Sequence, residues 1–213
     1  MNLITSKNLV LNAALAATVA IASGGLAQDG PVTKLEVLGR ALRLEPAWRA
    51  SYHQEYVPAG MTLGEKVAGT VWVAWPDRAH FRGGEPVDRI MGLEGRRVRL
   101  VDLETPSCDD HVLNDAEWAR IPLAAVLDPR TAVDHFTIVD RGIEGVTLIP
   151  REPGGVARVD VQLGADDLPS RVLIVDPAGS RNTLDFDDWQ AASPPSGGGW
   201  LPAPPAGVDC LEN

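Results

Sequence analysis

The sequence predicts an α+β fold in which most of the chain forms an antiparallel sheet. Three observations support it: a helical repeat of leucines near the start, a period-two strand pattern from residue 66 onward, and short apolar segments separated by turns rich in Gly, Asp and Pro. Closely spaced strands favour hairpins, because parallel strands need longer crossover connections. We therefore expect a helix followed by a meandering antiparallel sheet.

Residues 1–27 have the pattern of a cleavable secretory signal. Lys7 precedes a mostly apolar run at residues 9–22, which is too short to span a bilayer, and Gly25-Leu26-Ala27 supplies small residues at the cleavage positions. A buried N-terminal helix is the alternative. Cleavage after Ala27 would leave residues 28–213 as a single domain of a soluble, exported protein in the periplasm.

The first element of the mature chain is predicted to be a helix that begins near Pro31. Thr33 and Glu36 have the spacing of a capping box, and Pro46 should end or kink the helix just before it. The helical period is carried by leucines 35, 38, 42 and 44.

The clearest predicted strand covers residues 66–75, and Pro76 ends it. Alternation places Trp72 and Trp75 on opposite faces of this strand. One tryptophan can fill a core, and the other then needs a second apolar environment such as a cavity or a partner. An ordinary two-sided core is the alternative.

Further strands are predicted at residues 97–103, 136–140, 146–150, 156–163, 171–175 and 183–189. A short helix near residues 123–127 interrupts them. Residues 193–205 are rich in Pro and Gly, and we expect them to be extended and exposed.

Charge and motifs exclude several classes of function. The net charge is −10, and it becomes −11 without the leader, which carries one lysine and no acid. An acidic chain with scattered arginines does not predict binding to nucleic acid or to an anionic membrane surface. The sequence has no nucleophile elbow, phosphate-binding loop or calcium loop, and its four histidines (53, 80, 111 and 135) lack ligand spacing. We expect no enzyme activity, no metal and no cofactor.

Cys108 and Cys210 are the two cysteines. In an oxidising compartment such a pair is most simply a disulfide. The alternative takes Cys108-Asp-Asp-His111 as part of a nucleophile or metal site, although no second cluster supports it.

Several weak motifs follow one another in order along the mature chain. They are Trp48-Arg-Ala-Ser-Tyr-His-Gln54; Gly69-Thr-Val-Trp-Val-Ala-Trp-Pro76 with Phe81-Arg82; Ile121-Pro-Leu-Ala-Ala-Val-Leu127; Leu168-Pro169, Asp176-x-x-Gly179 and Thr183-Leu-Asp-Phe-Asp-Asp-Trp189; and Trp200-Leu-Pro-Ala-Pro-Pro-Ala-Gly-Val208. Behind an export signal, this order resembles the periplasmic carriers of outer-membrane lipoproteins, the LolA-type family (LolA/LolB-like fold). The last motif resembles the family's final strand, and the chain looks like a divergent paralogue.

The resemblance implies an unclosed β-barrel (a half-barrel) with a helical lid over an apolar cavity. It places the ligand-binding residues Val71, Val73, Trp75 and Phe81 on the barrel, and Leu123, Val126 and Leu127 on the lid. Burial unrelated to a ligand is the alternative for each residue.

The function implied by the resemblance is that of a monomeric carrier for acylated lipoprotein or another lipid. Its partners would be an inner-membrane donor transporter and an outer-membrane acceptor. The alternatives are a lipid or lipoprotein sensor or interaction module on the same fold and, with the least support, a carboxylate-based hydrolase. One departure concerns Trp75, because many family members have a lid-closing arginine there. A tryptophan is expected to close the lid only by apolar contact.

Overall fold

The computed structural model describes residues 31–118, 126–127, 129–195 and 199–212. The predicted leader lies outside these ranges. Within them the chain forms one twelve-stranded sheet with helices packed against one face. None of the helices in the described part of the chain is long and apolar enough to cross a membrane.

The helices are α1 (Pro31–Leu42), α2 (Asp115–Trp118) and α3 (Pro129–His135), with a 3₁₀ turn at Gly142–Glu144. Residues 126 and 127 are also helical, and they fall in the predicted short helix. The strands are β1 (Trp48–Val57), β2 (Glu65–Ala74), β3 (Arg78–Gly83), β4 (Arg89–Glu94), β5 (Arg97–Asp102), β6 (Ser107–Val112), β7 (Phe136–Asp140), β8 (Val146–Pro150), β9 (Arg158–Leu163), β10 (Pro169–Val175), β11 (Arg181–Ala191) and β12 (Leu211–Glu212).

The strand order is β12-β6-β5-β4-β3-β2-β1-β11-β10-β9-β8-β7. Neighbours are antiparallel except β12 and β6, which pair in parallel. The terminal strands β12 and β7 do not pair with each other, so the barrel is unclosed. The predicted fold class, mainly antiparallel β with helices on an open sheet, is confirmed.

The first helix covers one face of the sheet, which we call the inner face. Its leucines Leu35, Leu38 and Leu42 are at most 1% exposed and belong to the main core. Two details differ from the sequence prediction. The helix begins at Pro31, so Thr33 lies inside it and not at the N-cap position. It ends at Leu42, before Pro46, because a tight turn follows in which the Leu44 amide donates to the Ala41 carbonyl.

The end of the chain corrects two predictions. Residues 200–208 do not form a strand, and the last strand is β12, a short pairing with β6. The segment is also not simply exposed, since Trp200 is only 5% exposed and Pro195 and Pro202 are buried. We call residues 199–212 the C-terminal strap. It is extended as predicted, but it packs on the outer face of the sheet because that face presents an apolar side chain, Trp72.

Candidate functional site

The inner face encloses an apolar cavity of about 380 Å³. Side chains from both halves of the sheet form its walls, and helical residues cover it. The walls include Val67, Val73, Phe81, Met91 and Leu100 from β2–β5 and Val172, Ile174, Leu184, Phe186 and Trp189 from β10–β11, and the cover consists of Leu42, Val126 and Leu127. Such a dry surface suits an aliphatic ligand.

Tyr52 forms the middle of the wall. Its ring lies edge-on to Phe81, with centroids 5.5 Å apart, and it crosses two glycines of the neighbouring strands. A Cβ atom at Gly69 or at Gly83 would lie 2.8 Å from a Tyr52 ring carbon or hydroxyl, respectively, so larger residues would push the ring away. Burial, and then the carboxylate of Asp88, raise the pKa of the Tyr52 hydroxyl, which therefore stays protonated at neutral pH.

A β-bulge directs Trp189 into the cavity. Between Ser51–Asp187 and Arg49–Gln190 the β11 strand has one residue more than β1. Asp188, within this step, has a φ of 57°. The extra residue reverses the alternation, so that Trp189 faces the same side as Phe186 and donates its indole N–H to the Pro169 carbonyl at 2.8 Å.

The polar lining groups lie towards one end of the cavity. Gln54 donates to the Asn182 side-chain oxygen at 2.8 Å. Both are near the hairpin turns, since Asn182 pairs with Tyr56 near the end of β1. Arg89 and the 48% exposed Leu100 line the same cavity and reach solvent. We call this end the mouth.

The opposite end is closed by apolar groups. Trp48, at the start of β1, pairs with Val73 at the end of β2, and its indole donates to the Ala41 carbonyl of α1 at 3.2 Å. This bond fixes the end of α1, including Leu42, against the sheet. We call this end the blind end. The cavity is therefore apolar inside and polar at one opening.

The predicted site residues divide into three groups. Val73, Phe81, Val126 and Leu127 line the cavity. Val71 is 0% exposed in the core, and Trp75 is half-buried against that core, but neither lines the cavity. Leu123 lies outside the described residues. Contact of any of them with a ligand stays a prediction.

The environment of Trp75 corrects the expectation of a purely apolar closure. The guanidinium of Arg43, just after α1, lies 5.1 Å from the centroid of the Trp75 ring. This is a cation–π contact, so the end of the helix is held partly by electrostatics to the segment that follows β2. Trp75 lies just after β2 and Arg43 just after α1.

The sequence did not single out the β10–β11 half of the wall. Leu184 and Phe186 alternate with polar residues, and β10 contributes Val172 and Ile174. The period-two pattern was visible in both predicted strands. It predicted the two strands, but it could not show that one of their faces borders empty space.

On the outer face, the strap covers the surface of β2 around Trp72. Trp200 packs with Trp72, Ala47 and Ala74. The Cys108–Cys210 disulfide, with its Cα atoms 4.4 Å apart, attaches the strap to β6 and confirms the predicted pairing. The alternative of a reactive thiol at Cys108 is therefore wrong.

Two buried polar groups support the strap. His80 is 2% exposed, and its Nδ1 donates to the Trp200 carbonyl at 2.9 Å while Nε2 accepts from Arg82. Burial is the main reason that the pKa of His80 is lowered. The positive charge of Arg82 lowers this pKa further, whereas the hydrogen bond to the Trp200 carbonyl raises it. Asp110, 3% exposed, binds Arg97 and Arg99, and Arg99 donates to the Pro202 carbonyl at 3.1 Å. The hydrogen bond from Arg97 is the main reason that the pKa of Asp110 is lowered.

No group of three or more potential metal ligands lies together among the described residues. His111 has a carboxylate neighbour, Glu117, with Nε2 and Oε2 3.3 Å apart.

Comparison with known proteins supports the resemblance stated above. No family model matches the chain. An outer-membrane lipoprotein carrier protein of Xylella fastidiosa is 25% identical over 179 residues, which cover 81% of this chain and 83% of the relative. The chain is therefore similar in sequence, over most of its length, to an outer-membrane lipoprotein carrier protein. The matched relative is named as a carrier and not as an enzyme, which supports the prediction that this chain has no enzyme activity.

Solved structures show more distant likenesses. A LolA superfamily protein from Nitrosomonas europaea has a TM-score of 0.45 and 9% identity, covering 78% of this chain and 95% of its own. A chain of the MucA/MucB complex of Pseudomonas aeruginosa has a TM-score of 0.46 and 15% identity, and the match covers 78% of this chain and 59% of that chain.

Proposed function

We propose that this divergent LolA-like protein is a periplasmic carrier that binds acyl chains of lipoproteins, or of another lipid, in its inner cavity. The observation that carries the proposal is the apolar cavity beneath a helical cover. Each methylene moved from water to such a surface gains about 0.8 kcal/mol, so an acyl chain can cross an aqueous compartment only inside a dry site.

The lid contacts support a site that opens and closes. The end of α1 is held to the sheet by the buried Leu42 side chain, by one indole hydrogen bond from Trp48 and by the Arg43–Trp75 cation–π contact. The two polar contacts contribute about 1 kcal/mol each, so opening this end has as its main cost the exposure of Leu42 and leaves the strands paired. By the family resemblance, a donor in the inner membrane would load the cavity and an acceptor at the outer membrane would empty it.

The proposal can be tested by filling the cavity. Leu184 lines the cavity and its neighbour Thr183 faces the opposite side of β11, so they form a matched pair. We expect Leu184→Trp to weaken binding of a dansyl-undecanoic acid probe by about tenfold or more, because the indole takes the space of several methylenes. Thr183→Trp should bind like the unmodified protein.

Native mass spectrometry of protein purified from periplasm without detergent gives the second measurement. Extra mass that leaves as acylated peptide or lipid supports the proposal and defines the cargo class. Protein that carries no extra mass and also fails to bind the probe would contradict the proposal. Transfer of the cargo to outer-membrane vesicles then distinguishes a carrier from a sensor, which binds but does not deliver.

A further inference from the structure

The cavity has a limited capacity. Its volume is about 380 Å³. A methylene group is similar in size to a water molecule, whose share of the liquid is about 30 Å³, so the enclosed space holds roughly a dozen methylene groups. That is enough for one acyl chain of medium length and too little for two.

The cavity also has a direction. Gln54 and Asn182, joined by a 2.8 Å hydrogen bond, lie at the mouth. Their amides retain further donor and acceptor capacity beyond this bond, as each carries two N–H groups and one carbonyl oxygen. An ester or carboxyl group can use that capacity, whereas a hydrocarbon cannot.

The blind end offers nothing to a polar group. Leu42 is 1% exposed, Val73 is 5% exposed and the Trp189 indole N–H is already bonded to the Pro169 carbonyl. A polar head placed there would lose its hydration without replacement, at a cost of several kcal/mol in similar sites. The favourable orientation therefore has the methyl end inside.

The charges at the mouth do not strongly favour either an anionic or a cationic head group. Arg89 lines it, and Asp102 is the cross-strand partner of Arg89 on β5. Asp88 acts on the nearby Tyr52. Because cation and carboxylates lie together here, recognition rests on the amide pair more than on net charge.

Building on the function proposed above, we propose that the closed cavity takes one acyl chain, methyl end first, with the head group at the Gln54–Asn182 pair. Cargo with more chains would keep the others outside this cavity unless the lid is displaced. The cargo that fits is a singly acylated lipid or peptide, or one chain of a larger anchor.

The first test is a series of saturated fatty acids from octanoic to octadecanoic acid, measured by displacement of the dansyl probe. We expect the affinity to rise about fourfold for each added methylene and then to level off near a dozen carbons, where the cavity is full. A rise that continues to octadecanoic acid would overturn the capacity argument.

A second test uses one peptide carrying either one or three palmitoyl chains. The two forms should bind with affinities within a few-fold of each other, since only one chain is enclosed. Binding of the triacylated form more than tenfold tighter would overturn the proposal. Failure of every fatty acid and of the probe to bind would instead remove the proposed function itself.

Orientation is tested with bromine, which quenches tryptophan fluorescence at short range. The tryptophans at the blind end are Trp48 and Trp189, with Trp75 beyond the end of β2. Terminally brominated dodecanoic acid should therefore quench more strongly than the isomer brominated beside the carboxylate, and Trp189→Phe should reduce the difference. Stronger quenching by the second isomer would reverse the orientation.

The head-group site is tested by Asn182→Leu. The variant should bind dodecanoic acid several-fold more weakly than the unmodified protein does. Its affinity for an uncharged alkyl probe, which has no head group, should be unchanged. Gln162→Leu, an exposed amide on the outer face of β9, is the matched control. Equal affinity of both variants for dodecanoic acid would show that the amide pair does not bind the head group.

Discussion

The two faces of β2 are covered in different ways although both are apolar. On the inner face Val71 is buried in the core and Val73 lines a cavity under a helical cover. On the outer face Trp72 and Ala74 are packed against Trp200 of the strap, which a disulfide holds in place. A face that meets its own chain at full packing becomes core, whereas a face with too little chain to fill it leaves space for a ligand.

The largest expected effect concerns the covalent attachment of the strap. The disulfide spans 102 residues, and the chain-entropy estimate for a loop of about that length is ~4.7 kcal/mol. We expect the double variant Cys108→Ser/Cys210→Ser to lose about 4 kcal/mol of unfolding free energy in urea. A reductant should destabilise the unmodified protein similarly and leave the variant unchanged. Loss of less than about 1 kcal/mol would show that the other strap contacts suffice.

The next comparison truncates one aromatic residue on each face. Trp200→Ala should cost about 3–4 kcal/mol, since the side chain is almost fully buried. Phe186→Ala should cost about 1–2 kcal/mol, because a residue that already borders a cavity has fewer contacts to lose. Urea unfolding measures both. Only Phe186→Ala should alter probe binding, and equal costs would contradict the contrast between a filled and an unfilled face.

A smaller effect is expected at the edge of the lid. Arg43→Gln removes the cation above Trp75 and should change stability by less than about 1 kcal/mol. It should raise the rates of both probe uptake and release, measured by stopped-flow fluorescence. Arg49→Gln is the matched control, because Arg49 stacks on Trp72 of the outer face. If both variants changed the rates alike, the Arg43 contact would have no special role in closure.

The smallest expected effect is the change of the unfolding free energy with pH. Burial lowers the pKa of His80 below the usual 6.5, so the unfolded chain binds a proton that the folded chain resists. Stability from this residue is present above pH 6.5 and is lost as the pH falls below it. His80→Asn keeps a donor for the Trp200 carbonyl and should flatten this loss in urea unfolding between about pH 6.5 and 5.

Sequence patterns predicted strands most accurately where apolar and polar residues alternate. The predicted strands at 136–140 and 146–150 match β7 and β8 to the residue. β1, β3, β4, β6 and β12 were not predicted. In β3, β4 and β6 charged residues and glycines blur the period of two, as in Ser107-Cys-Asp-Asp-His-Val112. There, pairing with neighbours on both sides decides the conformation.

Tertiary structure also decided where single side chains point. Strict alternation from Phe186 would turn Trp189 outward, and the bulge at Asp188 turns it inward. The strap was expected to be exposed, but Trp200 finds the outer side of Trp72, which is distant in the chain. Neither outcome follows from local sequence, because each depends on which strand or segment is the neighbour.

By itself, the sequence determined the α+β class, the early helix, the inner face of β2, the pairing of the two cysteines and the resemblance to lipoprotein carriers. Alternation and composition are local properties, and two cysteines leave one possible pair. Only the tertiary structure decided that the inner face borders about 380 Å³ of space with a polar mouth while the outer side of Trp72 is filled by the strap. Whether two apolar surfaces meet or leave a gap depends on the volume that distant segments bring together, and no local pattern records that volume.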